Sequence, residues 1–318
     1  MNSNKLNSKL HKKQGWISIT ECPLCGSNDS NHLIDISKKA YLFGKECILV
    51  PGNKIPIKEC QECGLAYKSI IPSKDFLSEV YERQVENIWT NPYNFRPELK
   101  FINQLFPKSG FDLLDIGASR GDLLKECSVF NGRRSALDIV EYPEIKKHIR
   151  GEIILSLLDD KKIKWQKKPY NLVTIFDVLE HLYDPKQAFR NIVEFTNRHG
   201  YILIETGDIN SYKHSKKGML FWPYTALFEH HIFWSKKSID YISKIYNLEI
   251  VEWKKKKHKK VYTHPLSLKI KRRIKFYTYQ ISPKTYSSLL KRISPEVMGE
   301  APGNPSSRDH FRVLLKKK

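Results

Sequence analysis

The sequence predicts an α/β fold built on a largely parallel sheet, and three observations predict it. The first is the stretch Leu-Leu-Asp-Ile-Gly-Ala-Ser-Arg-Gly at 113–121. There an apolar run from Phe111 to Ile116 carries one acid, Asp115, and passes through Gly117 and Gly121 into the helical pattern at 122–126. The second is alternation. β-rich runs at 135–139, 152–155, 172–176 and 200–206 are separated by helical patterns, the clearest at 186–196. Strands and helices in alternation make a parallel sheet with crossover helices. The third is where the polar groups fall: Asp115, Asp138, Asp177, Glu180, His181 and Glu205 lie at or near the carboxyl ends of those strands. Open α/β sheets take their ligands there.

In chain order, residues 1–15 are polar and basic without an apolar centre. They read as a disordered tail rather than a secretory leader. No run approaches the roughly 18 apolar residues of a membrane-crossing helix, so a cytoplasmic location is expected. Cysteines there are reduced thiols or metal ligands.

Two pairs stand out, Cys22-Pro23-Leu24-Cys25-Gly26 and Cys60-Gln61-Glu62-Cys63-Gly64. Each C-x-x-C-G turn aims two thiolates at one ion, and four thiolates close a tetrahedral shell with no open position, which means a structural zinc. The 34 residues between Cys25 and Cys60 exceed the usual 15–20 or so. A hairpin of its own is therefore expected in the insert, with Ile34–Ile36 and Ile48–Val50 as strands. The zinc-binding module is expected over 16–70, and a helical connector over 71–110, with helices near 75–83 and 97–105.

Within the sheet domain, Asp138 ends a strand 21 residues beyond Gly117, where a carboxylate can accept from both hydroxyls of a ribose. Capping of the helical pattern at 143–149 is the plainer role. Leu157 follows the next strand, where an apolar side chain could wall a flat base. Asp177, Glu180 and His181 could present three metal-ligand atoms where a strand enters a helix, but the favoured reading of Glu180 and His181 is pocket scaffolding.

The segments D-I-G-A-S-R-G, A-L-D-I, F-D-V-L-E-H-L-Y-D-P and H-G-Y-I-L-I-E-T resemble class I S-adenosylmethionine-dependent methyltransferases, over about 111–254. With the cysteine module in front, the chain is similar to sugar C-methyltransferases of surface-polysaccharide synthesis. The resemblance implies a Rossmann-like, mostly parallel sheet with an antiparallel last strand. It implies S-adenosylmethionine at Asp115, Gly117, Ser119 and Gly121, with its ribose on Asp138. Leu157, Asp177, Val178 and His181 would line the donor pocket. The family pattern D-x-G-x-G-x-G has glycine where this chain has Ser119, which puts a hydroxymethyl beside the donor.

The loop 207–235 is long for a connection and holds Tyr212, His214, Trp222, Tyr224, Glu229, His230, His231, Phe233 and Trp234. Its Phe228-Glu229-His230-His231-Ile232-Phe233-Trp234-Ser235 resembles the E-H-x-x-[YF]-F-S segment of those relatives. On that match His230 is the candidate base, Glu229 its partner and His231 the competitor. A packing histidine is the plainer reading.

The methyltransferase core is expected over 111–264 and a basic helical insertion over 265–305. The segment 306–318 should close the core as an antiparallel edge strand beside 248–253. Basic residues number 55 against 34 acidic, a formal charge of +21. The runs at 254–260, 269–275 and 316–318 read first as solvated surface, then as contacts for an anionic membrane or a phosphorylated substrate. The favoured function is methyl transfer to carbon or oxygen of a sugar, nucleotide- or lipid-linked, in surface glycan biosynthesis. An RNA methyltransferase and a non-catalytic scaffold of the same fold are the alternatives.

Overall fold

The computed structural model describes residues 15–37, 39–43, 46–84, 93–107, 110–211, 223–226, 228–257, 274 and 308–318. The expected tail save Gly15, the insertion at 265–305 save Ile274, and Tyr212, His214 and Trp222 lie outside the described residues. No helix among the described residues is long and apolar enough to cross a membrane.

The amino-terminal part is all β: β1 (Trp16–Ser18), β2 (Ser30–Ser37), β3 (Ala40–Phe43), β4 (Glu46–Leu49), β5 (Lys54–Cys60), β6 (Ala66–Lys68) and β7 (Ile70–Pro72). Ile34–Ile36 lies in β2 and Ile48 in β4, and the insert holds a hairpin of its own, though the two stretches belong to different pairs. β2 pairs with β5, β3 pairs with β4, and Val50 lies beyond its strand. The alternating burial of β2 and β5 explains it, because Ile34, Ile36, Ile55 and Ile57 share one apolar cluster with Ile48 and Val50. That cluster takes in Phe76, Leu77 and Val80 of α1 (Lys74–Gln84).

After α2 (Arg96–Leu105) come β8 (Leu113–Ile116), α3 (Asp122–Glu126), β9 (Arg134–Asp138), β10 (Ile153–Leu155), β11 (Tyr170–Phe176), α4 (Pro185–Phe195) and β12 (Thr196–Gly207). Every residue of β8 is buried, as expected of a strand covered on both faces. Asp184 caps α4 by accepting from the Gln187 N–H at 2.9 Å, with Pro185 at its first position. The Asp-Pro pair is thus a helix start written in two residues.

α5 (Pro223–Ala226), β13 (Ile232–Phe233), α6 (Lys236–Ile245), β14 (Leu248–Lys256) and β15 (His310–Lys317) complete the chain. The main sheet has seven strands in the order β10-β9-β8-β11-β12-β15-β14. All but β15 run parallel. The order departs in both directions from β8, and the switch point beside β8 and β11 is where such sheets bind ligands. β15 is not the edge strand the sequence suggested, since it inserts between β12 and β14. Its Phe311 and Val313 to Leu315 are fully or nearly fully buried. Burying each such side chain is worth about 1.5–3 kcal/mol, a gain an edge position would forgo.

The β-rich part and the main sheet are joined by β13. It pairs antiparallel with β6 and extends the smaller sheet to β13-β6-β5-β2.

Candidate active site

The turn after β8 adopts left-handed backbone angles at three alternate positions, Gly117 (φ 72), Ser119 (φ 48) and Gly121 (φ 78). At Gly117 a Cβ would stand 2.3 Å from Val178 Cγ2, so the bare backbone there lets the turn after β11 approach. Asp138 fastens this turn to the end of β9. Its carboxylate accepts from the N–H groups of Ser119 (2.7 Å), Ile139 (2.8 Å) and Val140 (3.3 Å). Asp115 is buried and accepts from Thr174 Oγ1 at 2.7 Å. Burial, opposed by that hydrogen bond, pushes its carboxyl up to about 7.

A cavity of about 440 Å³ begins at this turn, within the range of small-molecule sites. Asp115, Gly117, Ser119, Asp138, Leu157, Asp177, Val178 and His181 all line it, whereas Gly121 stands behind as the residue before α3. The far end of the cavity is formed by Glu180, Glu205, Tyr224, Glu229 and His230.

There the Glu180 side chain is wholly buried. Its Oε2 accepts from Thr206 Oγ1 at 2.9 Å, and its Oε1 has no hydrogen-bond partner. His230 Nε2 faces that oxygen at 3.9 Å. Each histidine of the cluster is held through Nδ1, His230 against the Tyr224 carbonyl and His181 against the Glu229 carbonyl, both at 3.0 Å. The two rings meet edge to face with centroids 4.9 Å apart. Burial raises the Glu180 carboxyl, and the nearby Asp177 adds to it. Burial likewise holds His230 well below its usual value, so its imidazole is neutral.

The structure separates the two histidines of the loop. His230 faces the cavity; His231 stands outside its lining, with its ring packed against Tyr183 at 4.5 Å. The backbone of His231 is a strut, because its N–H donates to the Glu180 carbonyl (2.8 Å) and its carbonyl accepts from the Lys68 N–H (2.9 Å). The carboxylate set against the His230 ring is Glu180, while Glu229 meets His181 through its backbone.

Several lining residues carried no sequence signal. His310 lies between Asp309 (Nδ1 to Oδ1, 3.0 Å) and Asp177 (Nε2 to Oδ1, 3.6 Å). Burial works to lower it, but the two carboxylates outweigh burial and lift it to about 10. Lys256 bridges Glu98 and Glu205. Tyr81, Tyr93, Asn94 and Phe95 also line the cavity. No motif marks these positions; the register Gly207↔His310 is what carries His310 to the end of β12.

The four cysteines come together. Cys22 and Cys63 sulfurs are 3.5 Å apart and those of Cys25 and Cys60 3.4 Å, with all four within 4.8 Å of one another. A tetrahedral zinc with bonds of about 2.3 Å sets sulfurs about 3.8 Å apart, so the cluster fits that ion. No disulfide links any of the six cysteines.

In solved structures, a methyltransferase of Bacillus halodurans, described as putative, is 14% identical, with TM-score 0.48 over 70% of this chain and 99% of its own. The 1,6-didemethyltoxoflavin-N1-methyltransferase of Burkholderia thailandensis, bound to its substrate and S-adenosylhomocysteine, is 13% identical, with TM-score 0.44 over 77% of this chain and 85% of its own. The N-methyltransferase NodS of Bradyrhizobium japonicum, with S-adenosylhomocysteine, is 11% identical, with TM-score 0.44 over 76% and 97%. No curated protein matches the sequence. A family model described as a methyltransferase domain matches residues 81–253. That is more than half of the chain, which belongs to this family of S-adenosylmethionine-dependent methyltransferases.

Proposed function

We propose that the chain transfers a methyl group from S-adenosylmethionine to a sugar, or to a small molecule carrying one, in surface glycan biosynthesis. The observation that carries the reading is one continuous cavity running from the Gly117–Ser119 turn to the Glu180–His230 cluster. The donor's ribose would take the Asp138 carboxylate, its base the Leu157 side, and its methionine part the Asp115 and Asp177 side. Tyr81, Tyr93 and Phe95 offer ring faces on which a sugar could stack. The four cysteines would hold a structural zinc, closed by sulfur on every side.

Transfer is an in-line displacement, so positioning supplies most of the rate. A bond forms from the acceptor oxygen or carbon to the methyl carbon as the methyl–sulfur bond breaks, which leaves a neutral thioether. The acceptor's proton must also leave. His230 is suited to take it, because its Nδ1 is engaged with a carbonyl and its Nε2 is the lone-pair side, facing Glu180 and the cavity. A neutral imidazole can accept a proton; an imidazolium cannot.

The test is a mass-spectrometric screen of nucleotide- and lipid-linked sugars with the purified chain and S-adenosylmethionine, beside calorimetry with the donor. Gain of one methyl on a sugar acceptor supports the reading. Methylated RNA in its place would favour the alternative substrate, and absence of donor binding would overturn enzymatic function altogether. Replacing His230 with Gln should cut turnover by about 10²-fold or more with donor affinity retained; unchanged turnover would remove the base assignment.

A further inference from the structure

We propose that Glu180, His181 and His230 form a binding site for a first-row divalent cation at the acceptor end of the cavity. One ligand atom from each lies within 4.8 Å of the others. Two imidazoles and one carboxylate on a single side of an ion, with its other positions open, suit Fe²⁺, Mn²⁺, Co²⁺ or Zn²⁺. Sequence spacing pointed to Asp177 as the third member. The chain fold instead turns Asp177 toward His310 and brings in His230 from 50 residues further along.

Three details favour an ion over a packing cluster. Both histidines spend Nδ1 on backbone carbonyls, of Tyr224 and Glu229. That fixes the proton on Nδ1 and leaves Nε2 as the lone pair, the arrangement metal-bound histidines adopt. Second, Glu180 Oε1 is buried without a hydrogen-bond partner, while Oε2 is oriented by Thr206. A wholly buried carboxylate oxygen left unpaired is costly, and a cation would satisfy it. Third, the 3.9 Å between Glu180 Oε1 and His230 Nε2 is too long for a hydrogen bond. Ligands about 2.1 Å from a metal lie roughly 3.0–3.4 Å apart, so this pair would close by about 0.5–0.9 Å, and no pair by more than about 1.8 Å, as the ion enters. All three residues line the cavity, so the open positions of the ion would face the space where an acceptor would lie. The ligand class favoured there is a chelating pair of oxygens, such as a diol or a hydroxy-ketone.

The inference rests on the proposed function only in calling this the acceptor end. With the ion bound, the His230 Nε2 lone pair is spent on the metal, so the cation replaces His230 as the activating group: it would lower the acceptor's pKa, and the proton would leave to solvent. The test uses the full chain with its cysteine cluster loaded with zinc, titrated with Co²⁺ and read by visible absorption. The expected result is one cobalt per chain with bands of nitrogen and oxygen ligation and no thiolate charge transfer, lost in both His181→Ala and Glu180→Gln. A cooperative thermal transition and a circular-dichroism spectrum like those of the native chain show that both variants are folded. No cobalt beyond exchange at the cysteines, or cobalt bound as well by both variants, would overturn the proposal. Because neither readout needs an acceptor, a failed sugar screen with cobalt bound would strike the function and leave the ion site standing.

Discussion

Ser119 keeps the left-handed backbone that its glycine neighbours in the turn adopt, φ 48 against 72 and 78. For a residue with a Cβ this conformation costs roughly 1–2 kcal/mol, and the Ser119 hydroxyl is buried without a hydrogen-bond partner. Ser119→Gly should therefore raise stability, by about 0.5–1 kcal/mol once the extra freedom of glycine in the unfolded chain is subtracted. Urea unfolding checks it; a loss of stability would mean the hydroxyl contributes more than the backbone strain costs. His310 makes the opposite kind of contribution. Its folded value of about 10 stands above the ordinary 6.5, so the folded state binds the proton more tightly. The stabilisation is complete below about pH 6.5 and is lost as pH rises through about 10. Between those limits the thermal midpoint of the native chain should fall more steeply than that of His310→Gln. Parallel curves would show that Asp177 and Asp309 do not hold an imidazolium.

At the scale of elements, the short strand β13 and the start of α6 decide where His230 sits. Ser235 begins α6 with a reciprocal cap, accepting from the Ser238 N–H while Ser238 Oγ accepts from the Ser235 N–H at 2.8 Å. The Ser235 hydroxyl also donates to the Gly64 carbonyl at 2.9 Å, beside Cys63. Ser235→Ala removes a cap and orphans a buried carbonyl, at a cost of about 1–2 kcal/mol. Because Ser235 lies two residues beyond the end of β13, turnover should fall further than donor affinity in this variant. Equal losses in both would make the cap a purely global stabiliser.

For the whole molecule, β13 joins the cysteine-bearing sheet to the methyltransferase sheet, and the four cysteines share one apolar cluster with Leu114, Ile175 and Trp234 of the core. Chelating the proposed zinc should therefore reach the acceptor end before the donor end. Acceptor turnover is expected to collapse while S-adenosylmethionine, which the proposal places against the ends of β8, β9 and β11, still binds. Loss of donor binding in step with metal loss would instead mean that the two sheets unfold together. The donor turn, the strand–helix alternation and the C-x-x-C-G turns were legible in the sequence, because each depends on neighbours within a few residues: a glycine's backbone range, an Asp-Pro cap, a run of apolar residues buried on both faces. The pairing of β15 between β12 and β14 was not, nor was the pairing of β2 with β5 around the β3–β4 hairpin, because register is chosen by which apolar faces meet across long stretches of chain. The acceptor end shows both sides of this division. Local chemistry marked Glu180 and His181 as polar groups near strand ends, and a resemblance of the segment 228–235 marked His230. That His230 rather than Asp177 completes their cluster, and that His310 occupies Asp177, followed from β-sheet register and burial, which no short segment encodes.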